Sequence, residues 1–508
     1  MTITNTKSAR PISSSESLNI LMLVLMVLLV FLMATRVPAD PDMWWHLRAG
    51  EETVTNGKVY LTDNMTFTRN GEPWVNHSWL SEVVLFLAFK AGGYTGLTLF
   101  VAILACATML VLYRSMRGGI FQRALITVLA CATLAPIWAP RPQQFSLLFF
   151  AILNHWLMQY MSGKNLKLWS LPLLFILWSN LHGGYSFGFL LLGITLGGMI
   201  LDRLFRPGLN PAIDWPRIGK LADWTAISLV AVLINPNGLN TWKIPFQTIG
   251  VQFNQYIQEW QSLDFHAIYS LPYVILLFGC LIAIGLSERR ATGVELAGLT
   301  FFGVSSLNAQ RLIGIFSLFA ATVLSNHTAA IVPSIRKNLK ATPSGRQFSQ
   351  WRERSDQHSV ATGLRRAINL TLVVLVALAG VIKLIYVSHP IIVDSSVKTY
   401  YPVGAVDYLS DNGKPGNVLN DYGWGGYLDW RLRENKIFID GRADFFPQEL
   451  FDEWIALIGG KPGWQASIAK YDIQYILLPP EMPVVDLAVE SGWVELYHDE
   501  ISVLLEQP

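Results

Sequence analysis

The chain has 508 residues, of which 52% are hydrophobic and only 15% are charged. Soluble domains average about 25% charged residues, so this composition excludes an ordinary soluble protein and indicates a membrane protein. The net charge of +2 is uninformative as a total, and the three cysteines have neither the spacing of a disulfide framework nor that of a metal site.

Apolar segments recur along the first four-fifths of the chain. A membrane span requires roughly 20 mostly apolar residues, or fewer when a short helix lies inside a bundle. The first segment is too long for a secretory signal and is followed by many others, so we expect an uncleaved helix. The predicted spans are 18–37, 95–113, 121–139, 143–161, 168–182, 184–201, 222–235, 270–287, 292–306, 310–326 and 367–387.

The positions of lysine and arginine predict the orientation, because these residues concentrate in cytoplasmic loops. Lys7 and Arg10 precede the first span, and every loop on the same side as this terminus is basic. We therefore expect a cytoplasmic N-terminus and a flexible cytoplasmic linker at 327–366. The outer loops are then 38–94 and 236–269. Basic residues in cytoplasmic loops of a membrane protein do not imply a nucleic-acid partner.

After the last span, from residue 388 to residue 508, the pattern changes to short strands alternating with helices. This alternation predicts a small α/β domain on the outer face, beside a transmembrane domain at 1–387. The predicted strands are Val418–Asn420, Lys436–Asp440, Ile473–Leu478 and Ser502–Leu505, and the predicted helices are Tyr427–Arg433, Gln448–Leu457, Trp464–Tyr471 and Val485–Glu490.

The first outer loop contains a segment, Asp40–Glu82, that is unusually rich in acids, tryptophans and histidines. A carboxylate at Asp42, just beyond the first span, is placed to act as general base toward an acceptor at the membrane surface. Asp40 is a second candidate, although Pro41 at a first helical position equally predicts that Asp40 caps a helix. For Asp42 the alternative role is a charge at the helix N-terminus.

Four further residues of this segment are candidates for binding a donor. His46 follows Asp42 by one helical turn, and Arg48 is a cation on the outer face that suits a phosphate. Trp44 and Trp45 would line a sugar or lipid path, or simply anchor the chain at the membrane interface.

Residues Asp42–Arg48 form the motif D-x-W-W-H-x-R, which resembles the D-x-W-Y-H-x-R signature of oligosaccharyltransferase catalytic subunits. Those subunits belong to the GT-C superfamily of glycosyltransferases, which use polyprenyl-linked sugar donors. Residues Gly57, Asp63–Thr66 and Gly71 follow in a similar order. Asn420–Trp424 resembles part of the W-W-D-Y-G motif of the same subunits.

The resemblance implies a GT-C-like fold and inverting sugar transfer with Asp42 as base. It places Asp421, Tyr422 and Trp424 on the acceptor side, and it leaves open a divalent cation, Mg²⁺ or Mn²⁺, held by Asp40 and Asp42. Leu419 and Asn420 stand where the family has two tryptophans, and the turn 138–143 lacks the acidic pair that completes the family's metal site. N-glycosylation of sequons is therefore not expected.

Other polar residues lie at the outer ends of predicted spans, where ionisable groups are often functional. Arg141 and Arg311 would bind the donor phosphate, or extend to the membrane interface as ordinary basic residues. His182 is a sugar or phosphate contact or a solitary turn histidine, and Glu259 is a sugar or metal ligand or a solvated charge. In the C-terminal region, Asp440, Arg442 and Asp444 are acceptor-side candidates or members of a salt-bridged turn around Gly441.

These features together predict a membrane-embedded hexosyltransferase of the GT-C type. Its donor would be a polyprenyl-phosphate-linked sugar, its acceptor a lipid, glycan or protein, and its location the bacterial inner membrane with the chemistry at the periplasmic face. The alternatives are a transporter or flippase of lipid-linked saccharides, against which stand the lack of repeats and of mid-span charges, and a non-catalytic assembly partner with the same scaffold.

Overall fold

The computed structural model of the protein describes residues 14–250, 255–343, 346–347 and 362–508. Among these residues, seven helices are long and apolar enough to cross a membrane. The prediction of a helical, polytopic membrane protein is thereby confirmed. Lys7 and Arg10, on which the predicted orientation of the N-terminus partly depends, lie outside the described residues.

The bundle contains a helix at each of the eleven predicted spans. These helices are α1 (Ser14–Ala34), α3 (Trp79–Ser115), α4 (Ile120–Leu134), α5 (Gln143–Met161), α6 (Ser170–Leu181), α7 (Tyr185–Phe205), α8 (Trp215–Ala231), α10 (Leu271–Leu286), α11 (Gly293–Asn308), α12 (Ile313–Ala341) and α13 (Thr362–Val387). Four of them, α5, α6, α8 and α11, are shorter or less apolar than the seven, so the number of eleven crossings stays a prediction.

Much of the predicted first outer loop, 38–94, is helical. Helix α2 (Pro41–Asn56) is capped at its start by Asp40, whose carboxylate accepts hydrogen bonds from the N–H groups of Asp42 and Met43, and at its end by Gly57 in the left-handed conformation. Helix α3 begins at Trp79, so the last part of the predicted loop 38–94 is helical as well. The capping role considered for Asp40 is therefore observed.

The predicted linker 327–366 also begins as a helix, because α12 continues without interruption to Ala341. Helix α13 then starts at Thr362, and residues 348–361 of the predicted linker lie outside the described residues. Between α8 and α10 the chain forms the short helix α9 (Ile244–Gly250) and several single turns.

The C-terminal region contains a five-stranded mixed sheet in the order β2-β1-β3-β5-β4. Strand β1 pairs in parallel with β2 and β3, whereas β5 pairs antiparallel with β3 and β4. The strands are β1 (Asn417–Asn420), β2 (Lys436–Ile437), β3 (Ile473–Leu478), β4 (Val494–His498) and β5 (Val503–Glu506). The helices are α14 (Pro390–Tyr400), α15 (Val403–Asn412), α16 (Gly425–Arg431), α17 (Gln448–Ile458), α18 (Trp464–Lys470) and α19 (Pro483–Glu490).

Four elements of this region differ from the prediction. Helices α14 and α15 were not predicted. Strand β2 is shorter than predicted, and beyond Ile437 the side-chain oxygen of Asn420 accepts hydrogen bonds from the N–H groups of Phe438 and Ile439. Strand β4 was not predicted, since it is an edge strand with exposed residues such as Val494 and lacks a clear alternation of apolar and polar side chains.

The segment between α1 and α3 packs into the C-terminal region. Trp45 and Trp74 belong to the same buried cluster as Phe438 and Phe451. Thr66 forms a parallel β-bridge with Ile437, and the backbone N–H of Phe67 donates to the carbonyl of Ile437 at 3.1 Å. This packing positions α2 between the bundle and the sheet.

Candidate active site

A cavity of about 1530 Å³ lies where α2, α7, the 256–260 turn and the C-terminal region meet. One part of its wall is apolar and is formed by residues such as Phe187, Leu190 and Ile194 of α7. The rest carries ionisable and aromatic side chains. The predicted site residues that line the cavity are Asp42, Trp45, His46, Arg141, His182, Glu259, Arg311, Asp421, Tyr422 and Asp444.

The carboxylate of Asp42 lies in the first turn of α2, and 23% of its side chain remains exposed. Its Oδ1 accepts a hydrogen bond from the indole of Trp45 at 3.1 Å, and its Oδ2 lies 2.8 Å from Nη1 of Arg141. Burial raises the pKa of Asp42 to about 6; Arg141 lowers it, while the nearby charges of Asp40 and Glu259 raise it. A carboxyl with this pKa is suited to accept a proton near neutral pH.

Arg141 lies in the turn between α4 and α5 and contacts three carboxylates. Its Nε lies 2.6 Å from Oδ1 of Asp40, and its Nη1 lies 3.0 Å from Oε2 of Glu259 in addition to the contact with Asp42. Burial lowers the pKa of Arg141, but the three carboxylates outweigh it and raise the pKa well above its ordinary value. The guanidinium is therefore a permanent charge.

Glu259 connects Arg141 to a second arginine. Its Oε1 lies 3.5 Å from Nη1 of Arg311, whose guanidinium also covers the ring of Trp260 at 4.3 Å. Burial raises the pKa of Glu259, but the two arginines outweigh it and lower the pKa. Among the described residues Arg311 has one carboxylate partner, whereas Arg141 has three, so Arg311 is the arginine with charge left for a ligand.

A chain of hydrogen bonds fixes the orientation of His182. The indole of Trp178 donates to the hydroxyl of Ser146 at 2.7 Å, and this hydroxyl lies 2.7 Å from Nδ1 of His182. The same Nδ1 accepts from the backbone N–H of Gly184 at 3.0 Å. Because Nδ1 accepts, the neutral imidazole carries its proton on Nε2.

Two histidines from the first outer segment also line the cavity, and the sequence had indicated only one of them. His46 Nδ1 lies 3.1 Å from Oε1 of the buried Glu82, and burial lowers the pKa of His46 well below its ordinary value. His77, which the sequence did not single out, lies 3.5 Å from Asp444. Burial lowers the pKa of His77, but the hydrogen bond and charge of Asp444 outweigh it and raise the pKa.

Asp421 and Tyr422 line the cavity at the C-terminal end of β1. The carboxylate of Asp421 accepts from the N–H of Gly423 at 2.8 Å, which forms a tight turn and leaves the phenol of Tyr422 near the carbonyl of Gly441 at 3.4 Å. These two residues lie on the side of the cavity that faces the sheet.

Six predicted site residues do not line the cavity. Asp440 and Arg442 are completely buried and ion-paired, with Nη2 of Arg442 at 2.6 Å from Asp440 and 2.7 Å from Asp63. The salt-bridged turn is therefore the observed arrangement, and neither side chain contacts an acceptor in the cavity. Three others are Trp44, Arg48 and Trp424, and the sixth is Asp40.

These three residues have local partners instead. Arg48 pairs with Glu52 at 2.7 Å one turn along α2. Trp44 is buried edge-to-face against Tyr401 and Tyr427. Trp424 is buried and donates to the carbonyl of Tyr400 at 3.0 Å. Asp40 is also absent from the cavity wall, and its contact with the site is through Arg141.

A divalent cation held by Asp40 and Asp42 does not fit this arrangement. With Arg141 in place, and across the described ranges, no three His, Cys, Asp or Glu side chains are arranged to hold a metal ion. The guanidinium of Arg141 already contacts both aspartates and Glu259. A metal ion would have to displace it, at the cost of burying an unpaired arginine.

Comparison with solved structures identifies the fold of this chain. The chain is similar to the archaeal oligosaccharyltransferase AglB from Archaeoglobus fulgidus solved with an inhibitory peptide and a dolichol-phosphate, with a TM-score of 0.56, 12% identity, and coverage of 92% of this chain and 70% of that one. The chain has a GT-C-like fold. The oligosaccharyltransferase of the same organism tethered to an acceptor peptide gives a TM-score of 0.53, 12% identity, and coverage of 91% and 69%.

ArnT from Cupriavidus metallidurans in the apo state gives a TM-score of 0.48 at 13% identity, with coverage of 97% of this chain and 98% of that one. No protein-family model matches the sequence, and no curated protein matches it significantly. The prediction of similarity to GT-C glycosyltransferases is confirmed at the level of the fold.

Proposed function

We propose that this chain is an integral membrane glycosyltransferase that transfers a sugar, with inversion, from a polyprenyl-phosphate donor to an acceptor. The observation that carries the proposal is the position of Asp42. Its half-buried carboxylate lines a cavity with one apolar wall and one charged wall, and burial raises its pKa to about 6. A lipid-linked sugar and a polar acceptor require these two kinds of surface at one place.

In this mechanism Asp42 removes a proton from the acceptor's nucleophilic group as that group attacks the anomeric carbon of the sugar. The bond between this carbon and the phosphate oxygen breaks, and polyprenyl phosphate leaves with the bonding electrons. Arg311 and the Nε2–H of His182 stabilise the negative charge that develops on the phosphate. Phe187, Leu190 and Ile194 line the apolar wall and accommodate the lipid chain.

Asp421 and Tyr422 are proposed to contact the acceptor, because they line the cavity on the side of the C-terminal sheet. Acceptor and donor would thus enter from opposite walls, with Asp42 between them. The dolichol-phosphate in the archaeal oligosaccharyltransferase structure supports a polyprenyl-type donor for a protein of this fold. We further propose the bacterial inner membrane as the location and its periplasmic face as the site of transfer.

The test is sugar transfer by purified protein in the presence of lipid-linked donors and membrane glycoconjugates. The Asp42→Asn variant keeps the size of the side chain and a hydrogen-bond acceptor for Trp45, but it is no base. We expect donor binding to persist and transfer to fall by about 10²-fold or more. The matched control is Glu51→Gln on the same helix, because Glu51 pairs with Arg48 and Arg433 outside the cavity.

Full transfer by Asp42→Asn would contradict the proposed base. A protein that moves lipid-linked saccharides between leaflets without changing their mass would be a flippase, and one that binds a donor but neither moves nor cleaves it would be a non-catalytic partner. Mass analysis of the lipid and acceptor pools, with sidedness measured in vesicles, separates these outcomes.

A further inference from the structure

One guanidinium holds together three separate parts of the cavity wall. Arg141 comes from the turn between α4 and α5, Asp40 and Asp42 come from the start of α2, and Glu259 comes from the 258–260 turn. The contacts are 2.6 Å from Nε to Asp40, and 2.8 and 3.0 Å from the same Nη1 to Asp42 and Glu259. The Asp42 and Glu259 oxygens thus converge on a single nitrogen atom.

Without Arg141, Arg311 would be the cation left beside three carboxyl groups in the described part of the chain. Asp40, Asp42 and Glu259 supply three carboxyl groups, and among the described residues the cations that contact them are Arg141 and Arg311. All three carboxylates are less than one-third exposed, so water screens their repulsion only in part. Oxygen ligands of this type would attract a hard divalent cation such as Mn²⁺ if the guanidinium were absent.

We propose that Arg141 is a positioning residue that acts as a built-in cation and replaces a divalent ion at these carboxylates. Its guanidinium contacts Oδ2 of Asp42, and the indole of Trp45 donates a hydrogen bond to Oδ1. The carboxylate is therefore oriented without a metal. It also fixes Glu259 and thereby places the 258–260 turn against the cavity. The wild-type protein consequently binds no divalent cation at this position.

The experiment measures Mn²⁺ binding by the full-length protein in detergent, by equilibrium dialysis and by the electron paramagnetic resonance of free Mn²⁺. The variants are Arg141→Met, which removes the charge but keeps much of the side-chain volume, and Arg141→Lys, which keeps the charge. The double variant Arg141→Met with Asp42→Asn removes one of the carboxylates.

We expect no bound Mn²⁺ in the wild type or Arg141→Lys, and about one equivalent per chain in Arg141→Met. The double variant should lose most of this binding. An arginine that only stabilised the fold would change thermal stability but would create no metal site when replaced, so the gained binding distinguishes the two roles. If Arg141→Met does not fold, Arg141→Gln serves in its place.

Two results would overturn the proposal. The first is one equivalent of Mn²⁺ in the wild type that Asp42→Asn removes. The second is no binding by either the wild type or the charge-removing variants, because the carboxylates would then not be a cation site at all. The significance for catalysis rests on the proposed function, but the measurement does not, since it follows bound metal and not sugar transfer.

A second readout connects the proposal with activity. In the sugar-transfer assay, the wild type should keep its rate in excess EDTA. A rate that EDTA abolishes and Mn²⁺ restores would overturn the built-in cation while leaving the glycosyltransferase intact.

Discussion

Asp63 accepts a hydrogen bond from Nη2 of Arg442 at 2.7 Å, although 379 positions of sequence separate the two residues. Both side chains are fully buried, and Asp440 lies against the same guanidinium at 2.6 Å. The ring of Trp74 stacks below it at 4.9 Å. This buried ion cluster joins the first outer segment to the C-terminal region.

The first prediction concerns the stability of this junction. Arg442→Met removes the only cation that contacts Asp63 and Asp440 in the described part of the chain and leaves two buried carboxylates uncompensated. Breaking a buried ion pair from one side costs about 3–5 kcal/mol, so we expect a clear fall in the thermal unfolding temperature. The measurement is thermal unfolding in detergent, followed by tryptophan fluorescence.

The control for Arg442 is Arg431→Gln. Arg431 pairs with Asp407 at 2.6 Å, but both side chains are about half exposed. Exposed ion pairs contribute about 0–1 kcal/mol, so this variant should unfold almost as the wild type does. Equal effects of the two substitutions would contradict a structural role for the Arg442 cluster.

The second prediction is a pH dependence with a defined sign. Asp42 has its pKa raised to about 6, mainly by burial, and it can serve as base only when ionised. The transfer rate should therefore be full above pH 7 and fall about tenfold for each pH unit below about 6. Rates measured at saturating donor and acceptor between pH 4.5 and 8 test this prediction.

The indole of Trp45 provides a sharper version of the same test. Its hydrogen bond to Oδ1 of Asp42 lowers the pKa of that carboxyl. Trp45→Phe removes the donor, so the acid limb of the profile should move to higher pH. A profile that stays flat to pH 4.5, or one that Trp45→Phe leaves unmoved, would argue against titration of Asp42.

The third prediction concerns Gly441, which lies against the same carboxylate. A Cβ atom at this position would lie closer to Oδ1 of Asp42 than non-bonded atoms approach, and it would make a tight contact of 3.0 Å with Nε1 of Trp45. Gly441→Ala must displace the Asp42 side chain. A displacement of about 1 Å at a catalytic group can cost about 10²-fold in rate.

The unfolding temperature of Gly441→Ala should change little, because the displaced carboxylate borders open space. Gly279→Ala is the control, since its Cβ would meet only Leu324 at an ordinary 3.8 Å. Unchanged transfer by Gly441→Ala would mean that the present orientation of Asp42 is not needed.

The fourth prediction separates donor binding from the base. His182→Ala removes the Nε2–H that we propose to contact the donor phosphate. Hydrogen bonds to charged groups contribute about 1.5–3 kcal/mol, so the affinity for polyprenyl phosphate should fall by roughly 10- to 100-fold. Isothermal titration in detergent measures this affinity.

His155→Ala is the matched control, because His155 bonds to Ser115 away from the cavity wall. Ser146→Ala should have a smaller effect than His182→Ala, because it only releases the orientation of the imidazole. An undiminished affinity in His182→Ala would remove this residue from the proposed phosphate site.

The sequence predicted much of the fold because the signals were local. Apolar runs marked a helix at every predicted span, and strands β1, β3 and β5 followed from short apolar segments. Long-range contacts were not predictable in this way. In sequence, Arg48 and Arg442 look as available for a ligand as Arg311. In the structure, Arg48 pairs with Glu52 one turn along its own helix, and Arg442 pairs with Asp63 from a distant buried loop.

In the candidate site, too, the contacts between residues distant in sequence could not be predicted. The sequence indicated Asp42, His46 and Arg141 because ionisable side chains are uncommon beside the outer end of a predicted span. His77 was missed, since its partner Asp444 is brought to it only by the packing of the C-terminal region on the first outer segment. The convergence of three carboxylates on Arg141 likewise depends on three loops that the sequence does not connect.

The bridge between Thr66 and Ile437 has a consequence for anyone who dissects the protein. Residues 65–68 bond to the free side of β2, where Met65 and Phe67 pair with Ile437 and the hydroxyl of Thr68 donates to the carbonyl of Phe438 at 2.7 Å. A truncated fragment starting at residue 388 would leave these backbone groups bare. Such a fragment should self-associate when expressed alone, and supplying residues 57–78 as a separate peptide should keep it monomeric.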